Sequence, residues 1–445
     1  WGRHRGRHRG VCRGRGMTGP HLPVDPLLPQ LPLALDGAAM AAVLDGVIGQ
    51  QGPRVLGCEV ERSKYRPRRN LSVGYRLQLQ GGAEQRVSAR FCTGGDAARR
   101  QARHRGDPAL PTAAGPARSH VPALDLVLHW WPNDPRLRAA RALAEPGELA
   151  AGAAVTVVQW VPEHRLTIRK ARGSAIVYGK ADAEDRGAAT QRSLQALWTS
   201  AARRDGRLRL PEPLGWQAGP GLQWLAALPG RALLDLAPRV APPQAAGVGQ
   251  LLAALHQTPA PLARACDGAA LQQRLQAVVD TLATVQPAWS DRLARLSALL
   301  AEGLARHGQA AAVTLHGDLH PRNVLWHEGQ AALIDFDSLT QGPAWLDLGA
   351  WLADDLYRAV LADQPPAPGD ASACALADAY AAAGGRTGSA AALAWATAWQ
   401  LLCQRAWRGA VNLKPGRYAR VPALLDLAER LARQGLAMSG TADHG

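Results

Sequence analysis

The chain has 445 residues, 47% of them hydrophobic, with a formal charge of +15. That length supports two or three domains with a sizeable core, and the composition excludes a disordered chain. No apolar run reaches the roughly 18 residues a membrane span needs, so no membrane partner is expected. Six arginines fall in residues 1–16, ahead of Met17, and without them the balance is 15 − 6 = +9. This GRHR-repeating leader reads as a non-native or disordered basic segment, translated upstream sequence rather than a nucleic-acid-binding arm. The remaining excess is arginine, with lysine only at 64, 170, 180 and 414, and it is weak support for a polyanionic partner. Six scattered cysteines with no CxxC spacing predict free thiols and a cytoplasmic setting.

After a Pro/Leu-rich entry, residues 36–49 read as a helix. Alternating β-prone stretches follow, RVLGCEVERSKY, NLSVGYRLQLQ and QRVSARF. A polar, Pro- and Gly-interrupted region including HWWPNDPRLRAARAL leads to a second β-rich set, AAVTVVQWV, HRLTIRKA and SAIVYGKA. The two sets resemble each other. YRPRRNLSVGYR and WVPEHRLTIRKA share a proline followed four residues on by Leu, Ser/Thr and Val/Ile, and the next strand of each ends in Arg90 or Lys180. This suggests a duplicated three-strand unit. Strand-like GLQWLAAL (221–228) then separates the β-rich half from a helical half. The helical half comprises GAATQRSLQALWTSAARR as one helix, VGQLLAALHQ, one or two helices over 269–306, LADAYAAAGG, and the region 389–436. The expected division is a cap or accessory unit at 17–150, a β-rich lobe at 151–228, a helical lobe at 229–437 and a disordered tail at 438–445.

Inside the helical half, residues 316–338 read HGDLHPRNVLWHEGQAALIDFDS, a strand–loop–strand–turn–strand–loop sequence. His316-x-Asp318-x4-Asn323 has the spacing of a kinase catalytic loop, and Asp335 stands where a second, metal-binding loop would begin. Phosphoryl transfer needs a carboxylate to orient the acceptor hydroxyl and take its proton. It also needs hard oxygen ligands for Mg²⁺. Asp318 suits the first task, and Asn323 and Asp335 suit the second. His316 holds the loop through hydrogen bonds, Arg322 is placed to meet phosphate, and Asp337 either extends the metal site or caps a turn.

The string HGDLHPRN…LIDFDS resembles the aminoglycoside phosphotransferase and choline kinase-like family. That resemblance implies an α+β, protein-kinase-like fold of two lobes, small and β-rich before large and helical. It implies ATP and Mg²⁺ as cofactors and a hydroxylated small molecule as acceptor. By the same resemblance, Lys180 would hold the nucleotide phosphates, the backbone around Leu225, Ala227 and Leu228 would read the adenine edge, and Asp347 in GPAWLDLG would brace the catalytic loop. LLAALHQ (251–257) resembles the family helix ending in Leu-His.

Two departures stand out. The helix after Lys180 offers Gln191 and Gln195 where a glutamate partner is expected, with Glu184 too early, so a catalytically weak, pseudokinase-like nucleotide-binding protein is the alternative. The β-unit at 54–92 is extra, and is reminiscent of maltokinase-type caps unless it contributes strands to the nucleotide lobe. Trp395, Trp399 and Trp407 read as core packing ahead of a sugar-stacking wall, and Asp354 and Asp355 as solvated helix surface. Aminoglycoside, choline, amino-alcohol and sugar acceptors stay open, as does the oligomeric state.

Overall fold

A computed structural model describes residues 22–50, 52–103, 106, 108–145, 155–307 and 310–440. The expected leader at 1–16 lies outside the described residues.

Asp36 opens the first long helix, Gly37–Ile48, by accepting from the backbone N–H of Ala38 and Ala39. Five strands then form an antiparallel sheet: β1 (Val55–Arg66), β2 (Asn70–Leu79), β3 (Glu84–Phe91), β4 (Arg118–Val121) and β5 (Leu126–Trp130), ordered β1-β2-β3-β5-β4. Leu71, Val73, Tyr75, Leu77 and Leu79 alternate along β2 and are all buried, as the period of two requires. A second antiparallel sheet contains β6 (Val155–Val161), β7 (Arg165–Arg172), β8 (Ala175–Asp182), β9 (Pro213–Gln217) and β10 (Leu222–Ala226), ordered β6-β7-β8-β10-β9.

The two sheets share more than strand order. Ser72 faces Arg90 and Arg90 faces Val127 in the first; Thr167 faces Lys180 and Lys180 faces Gln223 in the second. Each third strand is followed by a helix, Asp96–Arg103 or Gly187–Trp198. Arg90 thus occupies the register position that Lys180 holds in the other sheet, but it is committed elsewhere. Its guanidinium pairs at 2.8 Å with Glu163, in the β6–β7 turn, and both side chains are largely buried. The first sheet is a separate five-stranded sheet that lends no strand to the second, so the alternative that residues 54–92 complete the nucleotide lobe is corrected.

Short helix Arg138–Ala142 packs on the second sheet through Leu137, Ala139 and Ala140, against Trp160, Leu166 and Ile168. Residues 137–143, placed by expectation in the first unit, thus pack with the second sheet. Asp134 is the junction: its carboxylate accepts from Trp160 Nε1 and from the backbone N–H of Glu163, Arg136 and Leu137. β5 escaped the sequence reading because LVLHW is buried throughout and shows no alternation, and β4 because RSHV is only four half-buried residues.

The large lobe adds β11 (Arg231–Ala232), β12 (Ala312–Leu315), β13 (Val324–His327), β14 (Gln330–Leu333) and β15 (Thr340–Pro343) to a helical body. GAATQRSLQALWTSAARR forms two helices, not one: the first stops at Trp198, and Ser200 caps a new turn, Ala201–Arg204. Residues 269–306 likewise form two helices, Gly268–Val285 and Ser290–His307. The last helix runs Val421–Gly440, so residues 438–440 are helical rather than part of a tail, and 441–445 lie outside the described residues. No described helix is long and apolar enough to cross a membrane.

One core joins the first sheet to the helical body, running from Leu71 and Tyr75 to Leu424, Tyr418 and Trp395. Trp395 and Trp399 belong to that core, as their spacing suggests. Trp395 is fully buried, lies edge-on to Trp345 at 4.7 Å and donates from Nε1 to the Leu300 carbonyl at 3.0 Å. Trp395→Ala should therefore cost about 3–5 kcal/mol in urea unfolding. A loss below about 1 kcal/mol would show that the ring is not a packing element.

Candidate active site

The catalytic-loop segment folds as its pattern suggests. β12 delivers His316, a tight turn Pro321–Asn323 follows, and β13 and β14 lead to Asp335 and a second tight turn, Phe336–Ser338. Gly317 has φ +78°, and a Cβ there would lie 2.1 Å from the Ser338 carbonyl oxygen. Only glycine allows the two acidic loops this approach. Asp335 itself sits in the left-handed region at φ +66°, a conformation aspartate tolerates and functional sites often hold.

Asp347 is buried and accepts from the backbone N–H of His316 at 2.7 Å and of Gly317 at 2.9 Å. His256 Nε2 lies 3.2 Å from the same carboxylate, and its Nδ1 lies 2.8 Å from the Tyr380 hydroxyl. The chain Tyr380–His256–Asp347 thus anchors the loop from beneath. His256 ends the helix Pro242–His256, the one containing LLAALHQ, but nothing in the sequence marked Tyr380. His316 contributes its ring as well, with Nε2 2.9 Å from the Ile334 carbonyl, which ties the catalytic loop to the approach to Asp335.

Lys180 reaches from β8 across the cleft. Its Nζ donates to Asp335 Oδ1 and, at 2.6 Å, to Asp337 Oδ1. Burial works against the ammonium, but Asp337 and Asp335 outweigh it and raise its pKa. The same contact lowers the pKa of Asp335: burial opposes ionisation there, and the Lys180 charge and hydrogen bond overcome it. Glu184 is not the lysine's partner, because it pairs with Arg186 at 3.4 Å. Gln191 instead accepts from Gln223, on the strand beside Lys180, at 3.2 Å. The helix after β8 therefore supplies no carboxylate to Lys180, as its sequence indicates. A cavity of about 150 Å³ beside this contact is lined by Lys180, Arg165, Thr167, Arg264 and Asp337.

Asn323 is buried and donates from Nδ2 to the Asp318 carbonyl at 3.0 Å, leaving its amide oxygen as the acceptor end. That oxygen and the Asp335 and Asp337 carboxylates are hard donors, the type Mg²⁺ takes alongside phosphate and water.

Asp318 is met from the other side by Arg408, whose Nη2 lies 3.2 Å from Oδ1. The six-residue π-helical segment Leu401–Ala406 precedes Arg408 and also carries Arg405, whose guanidinium pairs with Asp354 at 3.1 Å. π turns are frequent at functional sites and leave no simple sequence signature. Asp354 is buried and held by Arg405 and Arg358, so its expected place on a solvated helix surface is corrected; Asp355 pairs with Arg358 at 2.8 Å. Burial would raise the Asp318 pKa, but Arg408, His320, Arg405 and His316 together hold it below the usual carboxylate value. Burial lowers the His320 pKa despite Asp318 and Asp354.

A carboxylate with a lowered pKa is ionised at neutral pH and loses its charge only as pH falls through the lowered value. Arg408→Ala removes the largest opposing charge and leaves burial to dominate. The acid limb of a kcat/KM–pH profile should move to higher pH in that variant; an unmoved limb would show that Arg408 does not set the ionisation of Asp318.

Of the residues expected to border adenine, one needs correction. The Ala227 N–H is already donated to the Ile176 carbonyl at 3.0 Å, so it is not open to a ligand. Leu225 faces Tyr178 within the β8–β10 ladder, and Leu228 lies just past the strand, packed beside Ala232, Leu325 and Ala332. Arg322 is exposed on the Pro321–Asn323 turn.

A β-sheet lobe carrying Lys180 over a helical lobe carrying paired acidic loops is a protein-kinase-like fold. Residues 177–395 match the model of APH, the phosphotransferase enzyme family, and this stretch holds Lys180, both acidic loops and Asp347. The resemblance read from HGDLHPRN and LIDFDS is thereby shown over just under half of the chain.

Among solved structures, a choline/ethanolamine kinase family protein from Mesorhizobium loti is similar at 17% identity and a TM-score of 0.45, covering 66% of this chain and 97% of its own. The Plasmodium vivax ethanolamine kinase is similar at 10% identity and a TM-score of 0.45, covering 66% and 87%. A spectinomycin phosphotransferase solved with ADP and its antibiotic is similar at 12% identity and a TM-score of 0.45, covering 63% and 92%. No curated protein matches the chain significantly.

Proposed function

We propose that the protein transfers the terminal phosphoryl group of ATP, with Mg²⁺, to a hydroxyl of a small molecule. The observation that carries this reading is the contact of Lys180 with Asp335 and Asp337, which brings the two lobes' charged groups to one point in the cleft. Lys180 holds the nucleotide phosphates, and the backbone at Leu228 borders the adenine. Asn323 and Asp335 would hold the metal, with Asp337 beside them. Bound there, it would neutralise charge on the phosphate oxygens. Asp318 orients the acceptor hydroxyl and takes its proton as the oxygen–phosphorus bond forms and the bond to ADP breaks. His316 and Asp347 keep that loop in place, so most of the protein's contribution is positioning.

The missing carboxylate on the helix after β8 favours one other reading, a nucleotide-binding protein with little or no turnover. Calorimetry with Mg·ADP tests the shared premise. The wild type should bind saturably, and Lys180→Ala should weaken binding at least about tenfold, the loss of one charge-assisted contact. Absence of wild-type binding would contradict both readings.

A further inference from the structure

On the acceptor side of Asp318 the charged groups are almost all of one sign. The two nearby acids are already matched: Asp318 with Arg408, and Asp354 with Arg405 and Arg358. Beyond them lie four cations with no ion pair among the described residues: Arg62 on β1, Arg322 in the catalytic loop, and Lys414 and Arg417 after the π segment.

These four come together from distant parts of the chain. Arg417 and Arg405 stack toward Tyr357, their guanidinium carbons 5.8 and 5.6 Å from the ring centroid. β1 is fixed against this wall, because the Ser63 hydroxyl, next to Arg62, donates to the Asn412 carbonyl. Lys414 lies two residues past Asn412, and burial and then the fields of Arg417, Arg62 and Arg322 lower its pKa. Holding like charges together with no counter-charge is costly, and the cost falls when an anion joins them.

Resting on the phosphotransferase reading, the geometry points to an acceptor that carries an anionic oxygen group, a carboxylate or a phosphate ester. That group seats against Arg322, Lys414, Arg417 and Arg62 while a hydroxyl of the same molecule meets Asp318. Arginine suits this task, since its fork matches a carboxylate or phosphate in two directions at once. Among the described residues, a cationic acceptor would find here only carboxylates already paired with arginine. The first sheet then has a purpose beyond stability, because β1 forms part of the acceptor wall.

The test uses calorimetry on the full chain, with and without Mg·ADP, titrating inorganic phosphate, gluconate and choline. Saturable binding of phosphate or gluconate and none of choline is expected, and which anion binds tighter separates a phosphate-ester from a carboxylate acceptor. The double variant Lys414→Ala/Arg417→Ala should lose at least tenfold in anion affinity, and Arg62→Gln should lose affinity in the same direction. Unchanged Mg·ADP affinity in both would show that they are folded. Choline binding tighter than either anion, no saturable anion binding, or equal anion binding by the variants would overturn the inference. Failure of the wild type to bind Mg·ADP would instead refute the phosphotransferase reading, while the nucleotide-free titrations still report on the cation wall.

Discussion

Asp347→Ala should destabilise the protein by about 3–5 kcal/mol, the range seen when one partner of a buried polar or charged network is removed. Three groups depend on this carboxylate: the backbone N–H groups of His316 and Gly317, and His256 Nε2. Each would be left buried without an acceptor, at about 1–3 kcal/mol apiece before relaxation. The loop they hold is unusual in its backbone, with Gly317 at positive φ against Ser338. Asp347→Asn keeps one acceptor oxygen and should lose less. Chemical denaturation of the two variants checks the order, and a loss under about 1 kcal/mol for Asp347→Ala would show that the loop is held by something else.

Asp318→Asn should leave nucleotide affinity within about twofold and lower turnover by about 10²–10⁴-fold, the usual contribution of a general base. The substitution preserves shape and the Asp318 backbone carbonyl that accepts from Asn323. It removes the negative charge that would accept the hydroxyl proton, while Arg408, its ion-pair partner, is about one-third exposed and keeps water as a partner. Steady-state kinetics alongside nucleotide titration separates the two effects, and a parallel fall in nucleotide affinity would relocate Asp318 to the binding of ATP.

Much of this site could be read along the chain because its parts are close in sequence. The spacing from His316 to Asn323 and the strand pattern around Asp335 specify a loop pair by local geometry alone. The doubled sheet was also legible, since the shared proline and Leu-Ser/Thr-Val/Ile pattern places Arg90 and Lys180 in the same register. Long-range pairing was not. Nothing in QRVSARF shows that Arg90 meets Glu163, nor in DDLYRAVL that Asp354 meets Arg405. The π segment at Leu401–Ala406 is a backbone event that no side-chain periodicity announces, and it carries Arg405 and leads into Arg408. The acceptor wall escaped for the same reason: Arg62 and Lys414 lie some 350 residues apart in an arginine-rich chain, where no single arginine is conspicuous.

The most direct measurement is transfer of label from ATP carrying radioactive terminal phosphate into acid-stable phosphate esters, using a panel of hydroxylated small molecules and Mg²⁺. The wild type should form a labelled ester with at least one acceptor, and Asp318→Asn should form it at least about a hundredfold more slowly. A wild type that binds Mg·ADP yet labels no acceptor, or an Asp318→Asn variant that labels one as fast, would contradict the assignment of a phosphotransferase built around Asp318.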